Sequence, residues 1–363
     1  MKVGVAEGYL SLSRDVSERH ISTVTASVRD PLMPTEDYTK FGDHMSRLVR
    51  LASDCGLERY AHTIAEHWTP TSSSCPAAGP AFSVVDSTGT AKTSLLKALC
   101  QCQRLSLRAS YICMPRSTDA NASHAQWPPA PSRRSLISRT IGSLLKVDVT
   151  RFPTMVPEVL PYQRLAMATA MMEVVIAASL SLSNACPAKE AGPTLQRWKE
   201  WDDAIVGMVC TILKTVAASR SSCREVKEES IGECLVSILS QGTSTEWGNG
   251  VRMNWFSNSV AAAVSISDTC VQVIDEGDSM RGVRGVQDPY QDITIWLGVT
   301  PDKATNSLVR VVRHAARNLQ TANLKVSLTF SGTHIQMLQP LKTTEPPAEV
   351  LVNNRPQSGG LLP

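Results

Sequence analysis

Residues 292–331 read DITIWLGVTPDKATNSLVRVVRHAARNLQTANLKVSLTFS, and they decide the fold because two alternating apolar stretches flank a helical repeat. Ile293, Ile295, Leu297 and Val299 alternate with Thr294, Trp296 and Gly298, the period-2 pattern of a strand with one buried face. Thr300 then stands as a helix cap. Pro301 at the first helical position has no N–H to leave unpaired, and Asp302 sets negative charge at the positive end of the helix dipole. Leu308, Val311, Val312, Ala315 and Leu319 fall on one side of this helix; Arg310, Arg313, His314 and Arg317 fall on another. After Thr321 to Asn323 the alternation returns with Leu324, Val326, Leu328 and Phe330. The segment is expected to be a β-α-β unit that turns three arginines outward.

Upstream, the middle of the chain reads as helical. Gln163 to Ser183 is almost wholly apolar, and from Thr194 to Ala218 the residues Leu195, Trp198, Trp201, Ile205, Met208, Ile212 and Val216 recur every three or four positions. A further helix is expected over residues 224–240 and a short one over 254–263, followed by β structure from Val264 to Asp275. Nearer the N-terminus, residues 9–13, 20–28, 82–86 and 105–113 have strand character, and residues 37–68 and 93–103 have helical character. The expected class is α+β: a helix-rich middle with a C-terminal β-α-β element on a mixed sheet. The expected organisation is an α+β region over 1–115, a Pro/Ser-rich loop over 116–134, the helical region with its β-α-β unit over 135–341, and a tail over 342–363. That tail carries Pro346, Pro347, Pro356 and Gly359-Gly360, a composition that does not fold alone.

The chain has 363 residues, enough for two domains on the usual prior. Its net charge of +3 is too balanced to imply polyanion binding from bulk charge. The distribution is uneven: residues 104–164 hold nine basic residues against three acidic, and residues 202–292 hold thirteen acidic against seven basic. Such a dipolar surface suits self-association. Met1 to Gly8 lacks the apolar segment of a secretory signal, and the apolar run from Leu165 to Leu180 is interrupted by Glu173 and is shorter than the roughly 20 residues a bilayer requires. No membrane partner is expected. Ten scattered cysteines with no CxxC fit a reducing, cytoplasmic compartment.

Catalytic motifs are sparse. No Gly-x-Ser-x-Gly, His-Glu-x-x-His or Gly-x-Gly-x-x-Gly occurs. Cys55, His62, His67 and Cys75 have zinc-like chemistry, but the spacing puts His62 and His67 on different sides of a helix, so no metal site is assigned. No cofactor is assigned either. The segment from Phe82 to Ser94, FSVVDSTGTAKTS, lies between a strand and a helix, where a phosphate-binding loop would lie, and Lys92 and Thr93 could meet a phosphate and a metal ion. Asp86 and Ala91 stand at the two positions where a phosphate cradle needs glycine.

Three functions remain in view. The first is a non-enzymatic structural or assembly subunit, such as a viral capsid or nucleocapsid protein, cytoplasmic or within a virion. It would form a homo-oligomer or larger assembly, with Arg310, Arg313 and Arg317 and the pair Arg133 and Arg134 touching nucleic acid or a neighbouring copy. The alternatives are a nucleotide-binding enzyme with a degenerate phosphate loop over residues 86–94, using Lys92 and Thr93, and a monomeric nucleic-acid-binding factor.

Overall fold

The computed structural model describes residues 2–5, 8–11, 81–85, 96, 100, 107–114, 136–149, 160–190, 194–218, 226–241, 254–275, 290–297 and 307–332. The described chain is helix-rich around a small parallel sheet of three strands, an arrangement compatible with α+β. These strands are β4 (Leu107–Cys113), β5 (Thr269–Asp275) and β6 (Val326–Gly332), with β5 hydrogen-bonded in parallel to both neighbours. The backbone of β3 (Ala81–Val85) adds to the far side of β6, also in parallel. Beyond it, β1 (Lys2–Val5) and β2 (Gly8–Ser11) pair antiparallel, giving the order β2-β1-β3-β6-β5-β4. Every residue of β5 from Cys270 to Asp275 is buried. A strand buried on both faces reads as a near-continuous apolar run rather than a clean alternation, which suits a parallel sheet with covered faces.

Seven helices surround the sheet among the described residues: α1 (Leu136–Leu144), α2 (Leu160–Ser181), α3 (Leu195–Ala218), α4 (Ile231–Leu239), α5 (Asn254–Val264), α6 (Gln291–Trp296) and α7 (Ser307–Thr321). α2 packs on β4 and β5 and also touches α1, α3, α4, α5 and α7. Its Ala- and Met-rich sequence is apolar on every side, so it needs partners on every side. It is long and apolar enough to cross a bilayer by composition, yet 83% of that stretch lies inside the fold.

α3 is two-sided. Ile205, Val209, Ile212, Leu213 and Val216 are buried while Asp203, Gly207, Thr211 and Lys214 are exposed, and the Thr194 hydroxyl accepts from the Arg197 amide at 3.2 Å to cap its first turn. The sequence places Trp198 and Trp201 in the core, and both are buried. α7 ends in a six-to-one turn: the Leu324 amide donates to the Leu319 carbonyl at 2.9 Å and the Asn323 amide to the Gln320 carbonyl at 2.9 Å. Asn323 sits at φ 66°, a conformation asparagine tolerates better than most residues, and the buried side chains of Leu319 and Leu324 complete the motif.

Two expectations are corrected. Residues 293–299 do not begin with a strand; Gln291–Trp296 is a short helix, with Thr294 donating to Tyr290 at 2.9 Å and Leu297 to Ile293 at 3.0 Å. Tyr290, Ile293, Thr294 and Leu297 are buried while Ile295 is 57% exposed, so burial follows helical spacing rather than alternation. A short apolar run satisfies both periods, and tertiary packing chose the helix. The strand that precedes α7 in the sheet is therefore β5, one element earlier in the chain than expected. Second, α1 was not anticipated, because Ser138, Arg139 and Ser143 dilute its apolar set of Leu136, Ile137, Ile141 and Leu144. The expected strand over 20–28, helix over 37–68, loop over 116–134 and tail over 342–363 lie outside the described residues, as does the start expected for α7 at Thr300.

Arg139 on α1 shows why that helix is held. Its guanidinium donates from Nε and Nη2 to the two carboxylate oxygens of Glu228, each at 2.8 Å, and from Nη1 to Asp203 on α3 at 2.6 Å. The planar fork matches a carboxylate edge, and the Glu228 hydrogen bonds raise the guanidinium still further above its usual range. Arg139→Ala is expected to destabilise the fold by about 2 kcal/mol, a value kept modest because Asp203 and Glu228 remain partly in water. Urea denaturation checks this, and an unchanged midpoint would show that the fork contributes nothing.

Candidate functional site

Parallel strands place all their C-terminal ends on one edge of a sheet, and that edge is where open α/β sheets bind ligands. Here the edge is formed by the ends of β3, β6, β5 and β4. Val85 of β3 is level with Gly332 of β6, Ile274 of β5 with Phe330 of β6, and Cys113 of β4 with Asp275 of β5. β3 and β5 are separated by β6, so their ends are about 10 Å apart at the usual strand spacing. β3 ends at this edge with Val85. The chain is helical at Leu96 and Cys100, both buried and one turn apart. Lys92 and Thr93 themselves lie outside the described residues, as do Arg133 and Arg134.

At the β4–β5 end of the edge, Asp275 and Tyr111 are fully buried. Tyr111 stands opposite Val273, so Asp275 is its diagonal neighbour on the same face, and the Tyr111 hydroxyl donates to Asp275 Oδ2. Burial, and then the charge of Asp275, raises the phenol well above its usual range, so it stays a donor. The Met114 amide donates to the Asp275 carbonyl at 2.9 Å, and the Tyr290 hydroxyl reaches Met114 Sδ at 3.9 Å. The outer side of β4 is shielded by α3: the Trp201 indole N–H donates to the Tyr111 carbonyl at 3.3 Å, and the Trp198 ring lies 5.5 Å from the Tyr111 ring. At the other end of these strands, Arg108 and Asp268 pair at 2.9 Å. Asp275 is thus a fixed acid at the end of a central strand.

The arginine stripe is not an outward face. Arg317 and His314 are buried, and Arg310 and Arg313 are half-buried. Arg310 Nε donates to His314 Nε2 at 3.3 Å, one turn along the same helix. The spacing of the three arginines around α7 is as the sequence gives it; what covers them is not legible from spacing, because α7 packs between α2, α5 and β6. Arg139, which could have extended a second basic patch, is held by the carboxylates of Glu228 and Asp203. The Arg164 guanidinium lies 5.7 Å from the Trp296 ring centre, and its Nη1 donates to the Trp296 carbonyl at 3.0 Å.

Metal and thiol chemistry gains no candidate among the described residues. They contain no group of three or more His, Cys, Asp or Glu able to hold a metal ion, and Cys55, His62, His67 and Cys75 lie outside them. Burial pushes the Cys186 thiol up to about 11 and the Cys270 thiol up to about 12, which leaves both as packing groups rather than nucleophiles. A buried polar centre is instead built on Glu173 of α2. Its Oε2 accepts from the Ser257 hydroxyl of α5 at 2.7 Å, and its Oε1 accepts from the Asn318 amide of α7 at 2.6 Å. Burial pushes its carboxyl up from 4.5 to about 8, against the opposing pull of these two hydrogen bonds. The sequence signal for it was present: it is the lone acid in the longest apolar run. The chain matches no protein-family model, no curated protein and no solved structure.

Proposed function

We propose that this protein binds a nucleoside phosphate at the C-terminal edge of its sheet, with the segment from Asp86 to Ser94 as a degenerate phosphate loop. In this reading β5, α7 and β6 form the β-α-β unit of a mixed sheet. Lys92 supplies a point charge to the phosphates and Thr93 supplies a hydroxyl. The observation that carries the reading is the placement of β3: an internal strand, parallel to β6, whose end opens onto the same edge as Asp275. Asp86 and Ala91 depart from the glycines of a full cradle, so backbone N–H donation is weaker here and Lys92 carries more of the binding.

A structural or assembly subunit is the second reading, with Arg133 and Arg134 outside the described residues and Arg310 and Arg313 partly exposed. The arginines it assigned to nucleic acid or to a neighbouring copy are buried or half-buried where they are described. Light scattering on the purified protein separates the two ideas, since a large discrete particle would favour assembly.

The direct test is Lys92→Ala in the full chain. Affinity for a fluorescent ATP analogue with magnesium is expected to fall about 30-fold, equivalent to about 2 kcal/mol, with the thermal midpoint unchanged. Equal affinity in the variant and the unaltered protein would remove Lys92 from the site.

A further inference from the structure

Glu173 joins three helices that are far apart in sequence. Ser257 lies 84 residues away and Asn318 lies 145 residues away, and both side chains are buried with it. Among the described residues no cation pairs with it: the groups that hydrogen-bond the carboxyl are a hydroxyl and an amide. A buried carboxyl with only neutral partners favours its neutral form, because ionisation there must be sustained without water or a counter-charge.

The surroundings sharpen this. α5 carries no ionisable side chain at all, its sequence being NWFSNSVAAAV. On α7, His314 and Arg317 precede Asn318 by four positions and one, and Arg310 Nε donates to His314 Nε2 at 3.3 Å. The face of α3 turned toward the core is apolar, with Ile205, Val209, Ile212 and Leu213 buried. Toward the sheet, α2 presents Ser179 to Ser110 of β4, six positions from Glu173 along the helix. The ionisable groups of β4 and β5 are Arg108, Tyr111, Cys113, Cys270 and Asp275, and Arg108 is paired with Asp268 at 2.9 Å.

We propose that Glu173 is a protonation-controlled latch, which as a neutral acid holds α5 against α2 and α7 and which loosens α5 as the carboxyl ionises. Neutral Glu173 accepts from Asn318 through Oε1 and donates its proton from Oε2 to the Ser257 hydroxyl; ionised Glu173 has released that proton to solvent, keeps two acceptors and must hold its negative charge in a buried site. α5 is the partner that yields. It is joined to the strand β5 by Ser265 to Asp268, with Ser265 at φ 49°, and loosening it loosens the lead into the strand that ends at Asp275.

Hydrogen exchange on the full chain from pH 5.5 to 8.0, corrected for the intrinsic rate, tests the latch. Opening of Asn254–Val264 is expected to rise by up to tenfold per pH unit and to level off above pH 8, because the opened state releases the proton over this range while the closed state keeps it. Amides of α1 that exchange by local opening, at rates above that of global unfolding, are expected to change far less. In Glu173→Gln, which preserves the shape and offers one acceptor and one donor, the rise should vanish. A rise of equal size in α1 and α5, or a pH-independent α5 in the unaltered protein, would overturn the latch. So would a rise in the Gln variant. Should that variant not fold, the comparison of α5 with α1 in the unaltered protein decides alone.

Discussion

Glu173→Gln is expected to raise the stability of this protein at pH 8 by several kcal/mol while leaving it nearly unchanged at pH 5. The folded-state carboxyl titrates at about 8 and the unfolded one at 4.5, so between these values the native state binds more protons than the unfolded state. Stability therefore falls as pH rises through this window, at up to about 1.4 kcal/mol per pH unit. This is the reverse of the usual salt-bridged carboxylate, which stabilises above its unfolded value. The Gln side chain accepts from Asn318 through Oε1 and donates through Nε2 to Ser257, so the network stays satisfied without a titrating proton. Urea denaturation of both proteins across the range measures the effect. Parallel curves for the two would show that Glu173 ionises in the fold as it does in water.

Gly232→Ala is expected to destabilise by about 2 kcal/mol, although alanine is the better helix former. A Cβ built on Gly232 of α4 would lie 2.5 Å from the Ser143 carbonyl oxygen and 2.7 Å from its carbon, at the end of α1, with Val147 Cγ2 at 3.0 Å. A backbone carbonyl cannot rotate away as a side chain can, so α1 and α4 must separate. Gly207, in the middle of α3, provides the opposite case: a Cβ there meets nothing within 4 Å and the position is exposed. Gly207→Ala should stabilise by up to about 1 kcal/mol. Opposite signs for the two substitutions in the same denaturation assay would verify the close approach of α1 and α4; a gain at both sites would deny it.

How much of this could be read from the chain follows from which forces act locally. α2 and α3 were legible because continuous or periodic apolar residues over more than twenty positions admit one reading. The strands β3, β4, β5 and β6 were legible from short runs rich in β-branched and aromatic residues, with ends shifted by a few positions. Residues 291–297 were not, because Ile293, Ile295 and Leu297 fit a strand as well as a helix until Tyr290 and Leu297 find the same core. The arginines of α7 mark a second lesson. Spacing assigns residues to a face, but only the neighbours α2, α5 and β6 decide whether that face meets water.

Of the candidate site, the described residues include only the strand that leads to it. FSVVDSTGTAKTS advertises a strand-to-helix turn with a lysine and a threonine, and β3 ends within it at Val85. Its alignment with Asp275 was not legible, since β3 and β5 are nearly two hundred residues apart and their neighbourhood depends on the insertion of β6 between them. The Tyr111–Asp275 hydrogen bond is likewise a product of register: Cys113 opposite Asp275 puts Tyr111 on the diagonal.

Titration calorimetry of magnesium ATP into the purified full chain is the most direct measurement of the central claim. Saturable binding of one nucleotide per chain, weakened in Lys92→Ala, is the result this account predicts. The absence of binding to ATP and to the other common nucleoside triphosphates, in a protein that is folded by circular dichroism, would contradict it.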